Sequence, residues 1–170
     1  MKKLTTYCSW TGNTKKIAQA IHEQIGGDII PMEEATNWEE YDFIALGFFV
    51  DKGFAGGKGK DFLEQVKNKK VGLFATLGAE PESEHAKAVM EKGRELMRAN
   101  NNTLLCEFIC QGAIDPNIIQ KMRDMAAKQG ANARHPITPE REKRWADATT
   151  HPDEKDVANA KKAFSKIKNL

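Results

Sequence analysis

The chain has 170 residues, 40% of them hydrophobic, with 26 Lys and Arg against 24 Asp and Glu and a net charge of +2. That length suits one domain with its own core and argues against disorder, and near-balanced charge spread along the chain gives no electrostatic reason to propose nucleic acid or an anionic membrane as partner. No apolar run approaches the ~20 residues of a membrane span, Met1-Lys2-Lys3-Leu4 leads into no signal-peptide core, and three cysteines are too few for a disulfide framework, so a reducing cytoplasm is expected.

Lys3 to Cys8 reads as a first short strand ending at a polar turn. Asn13 to Ile25 follows as a helix, with Ile17, Ile21 and Ile25 spaced by four and Gly26-Gly27 as its stop. Asp28 to Met32 is a second strand, and Glu33 to Tyr41 is polar, a loop or a single turn. Asp42–Phe49, Lys70–Thr76 and Thr103–Cys110 are apolar on both faces, as strands of a helix-covered parallel sheet require. Cys106 and Cys110, four apart on one strand, would sit ~13 Å apart, beyond disulfide reach.

Between these strands the spacing predicts a short helix over Lys60–Val66 and a longer one over Glu84–Asn100 with Ala86, Val89, Met90, Gly93, Leu96 and Met97 on one stripe. Asp115 reads as a helix N-cap with Pro116 at the first helical position; Ile118, Ile119, Met122, Met125 and Ala126 follow at helical spacing. A polar stretch over Arg134–Thr150 contains a helix start at Thr138-Pro139, and Pro152–Ile167 is a terminal helix facing Val157, Ala160, Phe164 and Ile167 inward. The expectation is one α/β domain over 1–170: a doubly wound, three-layer sandwich with a five-stranded parallel sheet and a polar insertion near 134–151 before the C-terminal helix.

Such sheets bind ligands beyond the carboxyl ends of their strands, which singles out the loops after strands one, three and four. In the first, Ser9, Thr11, Asn13 and Thr14 offer hydroxyl and amide donors, Gly12 lets backbone approach, and a helix N-terminus follows, so an anion would be held by neutral donors. The second runs Phe49-Val50-Asp51-Lys52-Gly53-Phe54-Ala55-Gly56-Gly57-Lys58-Gly59, with glycines that suggest flexibility. The third runs Thr76-Leu77-Gly78-Ala79-Glu80-Pro81-Glu82-Ser83-Glu84, with His85 and Glu80 near the expected mouth.

Other site chemistries fail. Cys8 lacks the arginine six residues on that a low-mass tyrosine phosphatase needs, since position 14 is Thr; Cys8 reads as a core residue. No G-x-G-x-x-G follows the first strand, no P-loop lysine spacing occurs in the glycine loop, no acidic pair marks a response regulator, and no His/Cys/Asp cluster has metal spacing. Trp38 and Trp145 read as isolated structural residues.

The segment T-Y-C-S-W-T-G-N-T-K-K-I-A resembles the flavodoxin phosphate loop, (S/T)-x-T-G-N-T, at the end of strand one. The resemblance implies strand order 2-1-3-4-5 and an FMN cofactor whose phosphate meets Ser9, Thr11, Asn13 and Thr14, with Trp10 and Gly12 in the same loop. It implies an aromatic, Phe49 or Phe54, stacked on the isoalloxazine, and Val50, Asp51, Lys52 and Gly53 beside it, Gly53 backbone near flavin N5. Thr76, Leu77, Gly78 and Ala79 would border the pyrimidine side. The tyrosine many flavodoxins carry in this third loop is missing; Trp10 is a candidate to cover part of the ring. D-K-G, L-G-A-x-P-x-S-x-H-A, C-Q-G-x-I-D-P, H-P-x-T-P-E-R and H-P-D-E-K-D resemble the bacterial flavodoxin-like subfamily associated with bilirubin reductase.

Three functions compete. One is an electron carrier delivering electrons to a partner reductase. A second is an FMN-dependent NAD(P)H oxidoreductase acting on quinones or other small molecules. The third is a flavin-free interaction module.

Overall fold

The computed structural model describes residues 1–170. Its strands are β1 (Lys3–Cys8), β2 (Asp28–Pro31), β3 (Phe43–Asp51), β4 (Phe54–Ala55), β5 (Lys70–Leu77) and β6 (Thr103–Gln111). Its helices are α1 (Asn13–Ile25), α2 (Gly59–Gln65), α3 (Glu84–Ala99), α4 (Pro116–Gln129), α5 (Pro139–Ala148) and α6 (Glu154–Phe164), with short 3-10 turns at Trp38–Glu40 and Ser165–Asn169. The parallel sheet runs β2-β1-β3-β5-β6, and β4 pairs antiparallel with β3. With that two-residue strand set aside, this is the expected order 2-1-3-4-5.

The apolar runs of β3 and β5 are buried on both faces because helices cover both, whereas β6, at the sheet edge, is fully buried only at Cys106, Cys110 and Gln111 and half-buried along the rest of its apolar run. One core joins Leu46, Phe48 and Leu73 to Leu63 of α2 and Val89, Met90 and Met97 of α3. The other joins Phe43, Phe74 and Cys106 to Ile17 and Ile21 of α1 and Ala160, Phe164 and Ile167 at the C-terminal end. Phe74 and Phe164 meet edge-on, ring centroids 6.1 Å apart, a geometry aromatic rings favour. No helix is long and apolar enough to cross a membrane.

The caps follow the sequence. Asp115 accepts from Asn117 N–H at 2.7 Å, Thr138 from Arg141 N–H at 3.2 Å, and Ser83 from Ala86 N–H at 3.2 Å. Asp153 and Asp156 form a reciprocal capping box on α6. His151, Asp153 and Asp156 come within 4.8 Å of one another, a grouping the sequence spacing did not suggest. The helix start accounts for it: Asp156 takes Asp153 N–H at 2.9 Å and meets His151 Nδ1 at 2.6 Å.

Two features differ from expectation. The segment between β6 and α6 is a helical insertion from Gly112 to His151 rather than a polar stretch starting near 134, because α4 belongs to it: no residue of α4 is buried and none joins either core. The insertion packs on itself, Trp145 lying under the guanidinium groups of Arg141 and Arg123 at 5.2 and 5.9 Å. The glycine loop after the third strand begins as a hairpin: β3 extends to Asp51, turns at Lys52 (φ 49°) and Gly53 (φ 86°), and returns through β4.

Candidate functional site

A cavity of ≈ 280 Å³ opens at the carboxyl end of the sheet, near the lower end of the ~300–1,000 Å³ range for ligand sites. Of the residues singled out in the sequence, Ser9, Trp10, Thr11, Asn13 and Thr14 line it from the first loop. Phe49, Val50, Asp51 and Lys52 line it from the second, and Thr76, Leu77 and Gly78 from the third. Gly12, Gly53 and Ala79 sit in the same loops but outside its wall.

The turn from β1 into α1 is built to meet an acceptor. Gly12 adopts φ 96°, a left-handed conformation that side chains rarely take. The N–H groups of Gly12 and Lys15 converge on Ser9 Oγ at 3.2 and 3.3 Å. Those of Trp10, Thr11, Asn13 and Thr14 have no partner within the protein. A helix N-terminus with unsatisfied N–H groups favours an anion, so the turn fits a phosphate ester. The side chains divide differently from expectation. The Asn13 amide donates to Ala113 O at 2.8 Å, and the Thr14 and Thr76 hydroxyls are 2.9 Å apart and buried. Both residues therefore brace the turn and leave the backbone as its main donor.

Beside the turn lies an aromatic pair. Phe49 packs 6.1 Å from Trp10 at an interplanar angle of 48°, and Trp10 is 64% exposed. Gly56 allows this: a Cβ there would lie 2.2 Å from the Phe49 ring. Phe54 faces Phe48, centroids 5.5 Å apart, rather than the cavity, which leaves Phe49 as the aromatic of the second loop. Gly53 O accepts from Lys92 Nζ at 3.2 Å at the hairpin tip, one residue beyond Lys52 on the cavity wall. Cys8, just before the turn, is buried; burial and the nearby Glu33 push its thiol pKa up, the opposite of an activated nucleophile.

The sequence reading missed a whole wall. Gly112, Ala113, Ile114, Asp115, Ile118 and Met122 line the cavity, beside exposed His85 at the start of α3, which the sequence had placed near the mouth. Gly112 N–H donates to Leu77 O at 2.8 Å and Gln111 Nε2 to Gly78 O at 3.1 Å, fastening this wall to the third loop. The signal existed: Ile118 and Met122 are spaced by four directly after a capped helix start. The loop after the last strand also shares the carboxyl end of the sheet.

The flavodoxin-domain family profile matches residues 4–165. The chain is 34% identical over 168 residues to a flavodoxin-like domain-containing protein, BilS, of Clostridioides difficile strain CD3, covering 94% of this chain and 92% of that protein. An archaeal flavodoxin structure superposes with a TM-score of 0.65 at 17% identity, covering 99% of this chain and 97% of its own. A flavoprotein of Lactobacillus acidophilus, solved in complex with FMN, matches at a TM-score of 0.51 and 21% identity over 71% of this chain and 97% of its own. At these identities the structural likenesses speak to the fold.

Proposed function

The chain belongs to the flavodoxin-domain family, and from that premise we infer that it binds FMN and carries electrons to a partner reductase. The observation that carries this reading is the β1–α1 turn, whose N–H groups at Trp10, Thr11, Asn13 and Thr14 have no protein partner and adjoin a cavity walled by Phe49 and Trp10. Bound FMN would supply one- and two-electron redox chemistry; the protein supplies position, polarity and exclusion of water.

The ester group is assigned to the turn, where Ser9 Oγ and the free N–H groups hold it without a lysine or arginine inside the loop. The ring system is assigned to the cavity between Phe49 with Trp10 and the Thr76–Gly78 backbone. Val50, Asp51 and Lys52 border it where the β3–β4 hairpin turns. The one imidazole on the cavity wall, His85, is exposed at the start of α3. The partner proposed is a reductase of the kind linked to the bilirubin-reductase subfamily that the sequence resembles.

The test is titration of flavin-stripped protein with FMN and riboflavin, then incubation of the loaded protein with NAD(P)H alone. Submicromolar FMN binding, a Thr11→Val variant weakened for FMN by about tenfold but not for riboflavin, and no NAD(P)H oxidation unaided are expected. Unaided turnover would replace the carrier with a stand-alone oxidoreductase, and failure to bind FMN would leave an interaction module.

A further inference from the structure

Helix α4 carries apolar side chains that the protein covers only in part: Ile118 and Met122 are half-buried. Ile118 and Met122, one turn apart, point into the cavity, yet no residue of α4 is buried and none belongs to either core. Ile114, just before the helix, packs over Gly78, filling the space a side chain there would need. The helix is tied to α5: Arg123 pairs with Glu142 at 3.2 Å, and Arg141 reaches Met122 Sδ at 3.5 Å. Its start is tied to the β1–α1 turn through Asn13 and Ala113. The third loop, to which this wall is fastened, offers no aromatic side chain between Thr76 and Glu84.

We propose that α4 is the second wall of the ring site, with Ile118 and Met122 covering the outer face of the bound isoalloxazine where the third loop has no aromatic to do so. The inference rests on the FMN reading of the cavity. An aliphatic and a thioether side chain suit a planar π system: both bury apolar area, and sulfur contacts aromatic rings favourably. The flavin ring is the occupant chosen because the stripe opens into the same cavity as Phe49, Trp10 and the turn. Met125, one turn further on, is 59% exposed and lies outside the cavity wall.

The experiment uses the full chain stripped of flavin, with FMN and riboflavin as probes and flavin fluorescence as readout. Met122→Ala and Ile118→Ala are expected to raise Kd for both flavins by about tenfold each. Met122→Leu should restore most of the affinity, and Met125→Ala should leave it unchanged. In the unmodified protein, FMN should slow amide exchange across 116–125 by about tenfold or more, a readout that needs no variant to fold. Wild-type affinity for both flavins in both alanine variants, with α4 exchange unaltered by FMN, overturns the proposal while leaving FMN binding intact. Loss for FMN alone also overturns it, since that places the effect at the ester end. No FMN binding by the unmodified protein sinks the underlying reading instead.

Discussion

Thr14 and Thr76 show how a side chain of the right chemistry is spent on the scaffold. Their hydroxyls are 2.9 Å apart and almost fully buried, so each satisfies the other where water does not reach. Removing one leaves the other unpaired, at a cost of about 1–3 kcal/mol. Thr14→Val and Thr76→Val should each lower the unfolding free energy by about that much in urea titration, and the double variant by less than the sum, by about 1 kcal/mol. Strict additivity would show that the two hydroxyls do not support one another. Donor chemistry was legible at Ser9, Thr11, Asn13 and Thr14; donor direction was not. Asn13 turns to Ala113 and Thr14 to Thr76 because partners 100 and 62 residues away stand within reach, and no local pattern encodes those distances.

Among the elements, β1 and α1 were readable to the residue, because a short apolar run, a polar turn and a glycine stop leave no alternative. α4 was readable as a helix but not as one that joins neither core, since spacing by three and four reports a stripe and not what lies across from it. β4 was invisible: two residues pair only because the Lys52-Gly53 turn folds the end of β3 back on itself. β6 carries a consequence of its burial. Cys106 has its thiol pKa pushed up to about 12 by desolvation, and Cys110, more deeply buried, shifts the same way. The folded chain then holds thiol protons that the unfolded chain releases above the ordinary value near 9. Stability is fully present below that value and falls as pH rises through the window up to the folded value, by ~1.4 kcal/mol per pH unit per thiol. Urea midpoints measured under reducing conditions from about pH 8 to about pH 10.5 should fall, and a Cys106→Ala, Cys110→Ala variant should show a shallower decline. An equal slope in the variant would show that these thiols do not set it.

For the molecule as a whole, the sheet and its two helical layers form one unit and the insertion from Gly112 to His151 a second, attached at one edge. The two ends of the insertion meet: Ala113 N–H donates to His151 O at 2.9 Å. Its buried residues Trp145 and Ala148 belong to neither core, so its interior is its own. Few cross-links hold it, among them Arg144 to Glu80 at 3.2 Å, an exposed pair worth little. Joining residues 113 and 151 by a short glycine-rich linker closes a gap that one hydrogen bond already spans, at small entropic cost. The shortened chain should therefore keep its sheet and melt within a few degrees of the full chain by circular dichroism. Its flavin affinity should fall by about tenfold or more, because Ile118 and Met122 leave with the insertion while the β1–α1 turn stays. A shortened chain that unfolds would show that the insertion completes the core; one that binds FMN as tightly as the full chain would show that α4 stands over the cavity without touching what fills it.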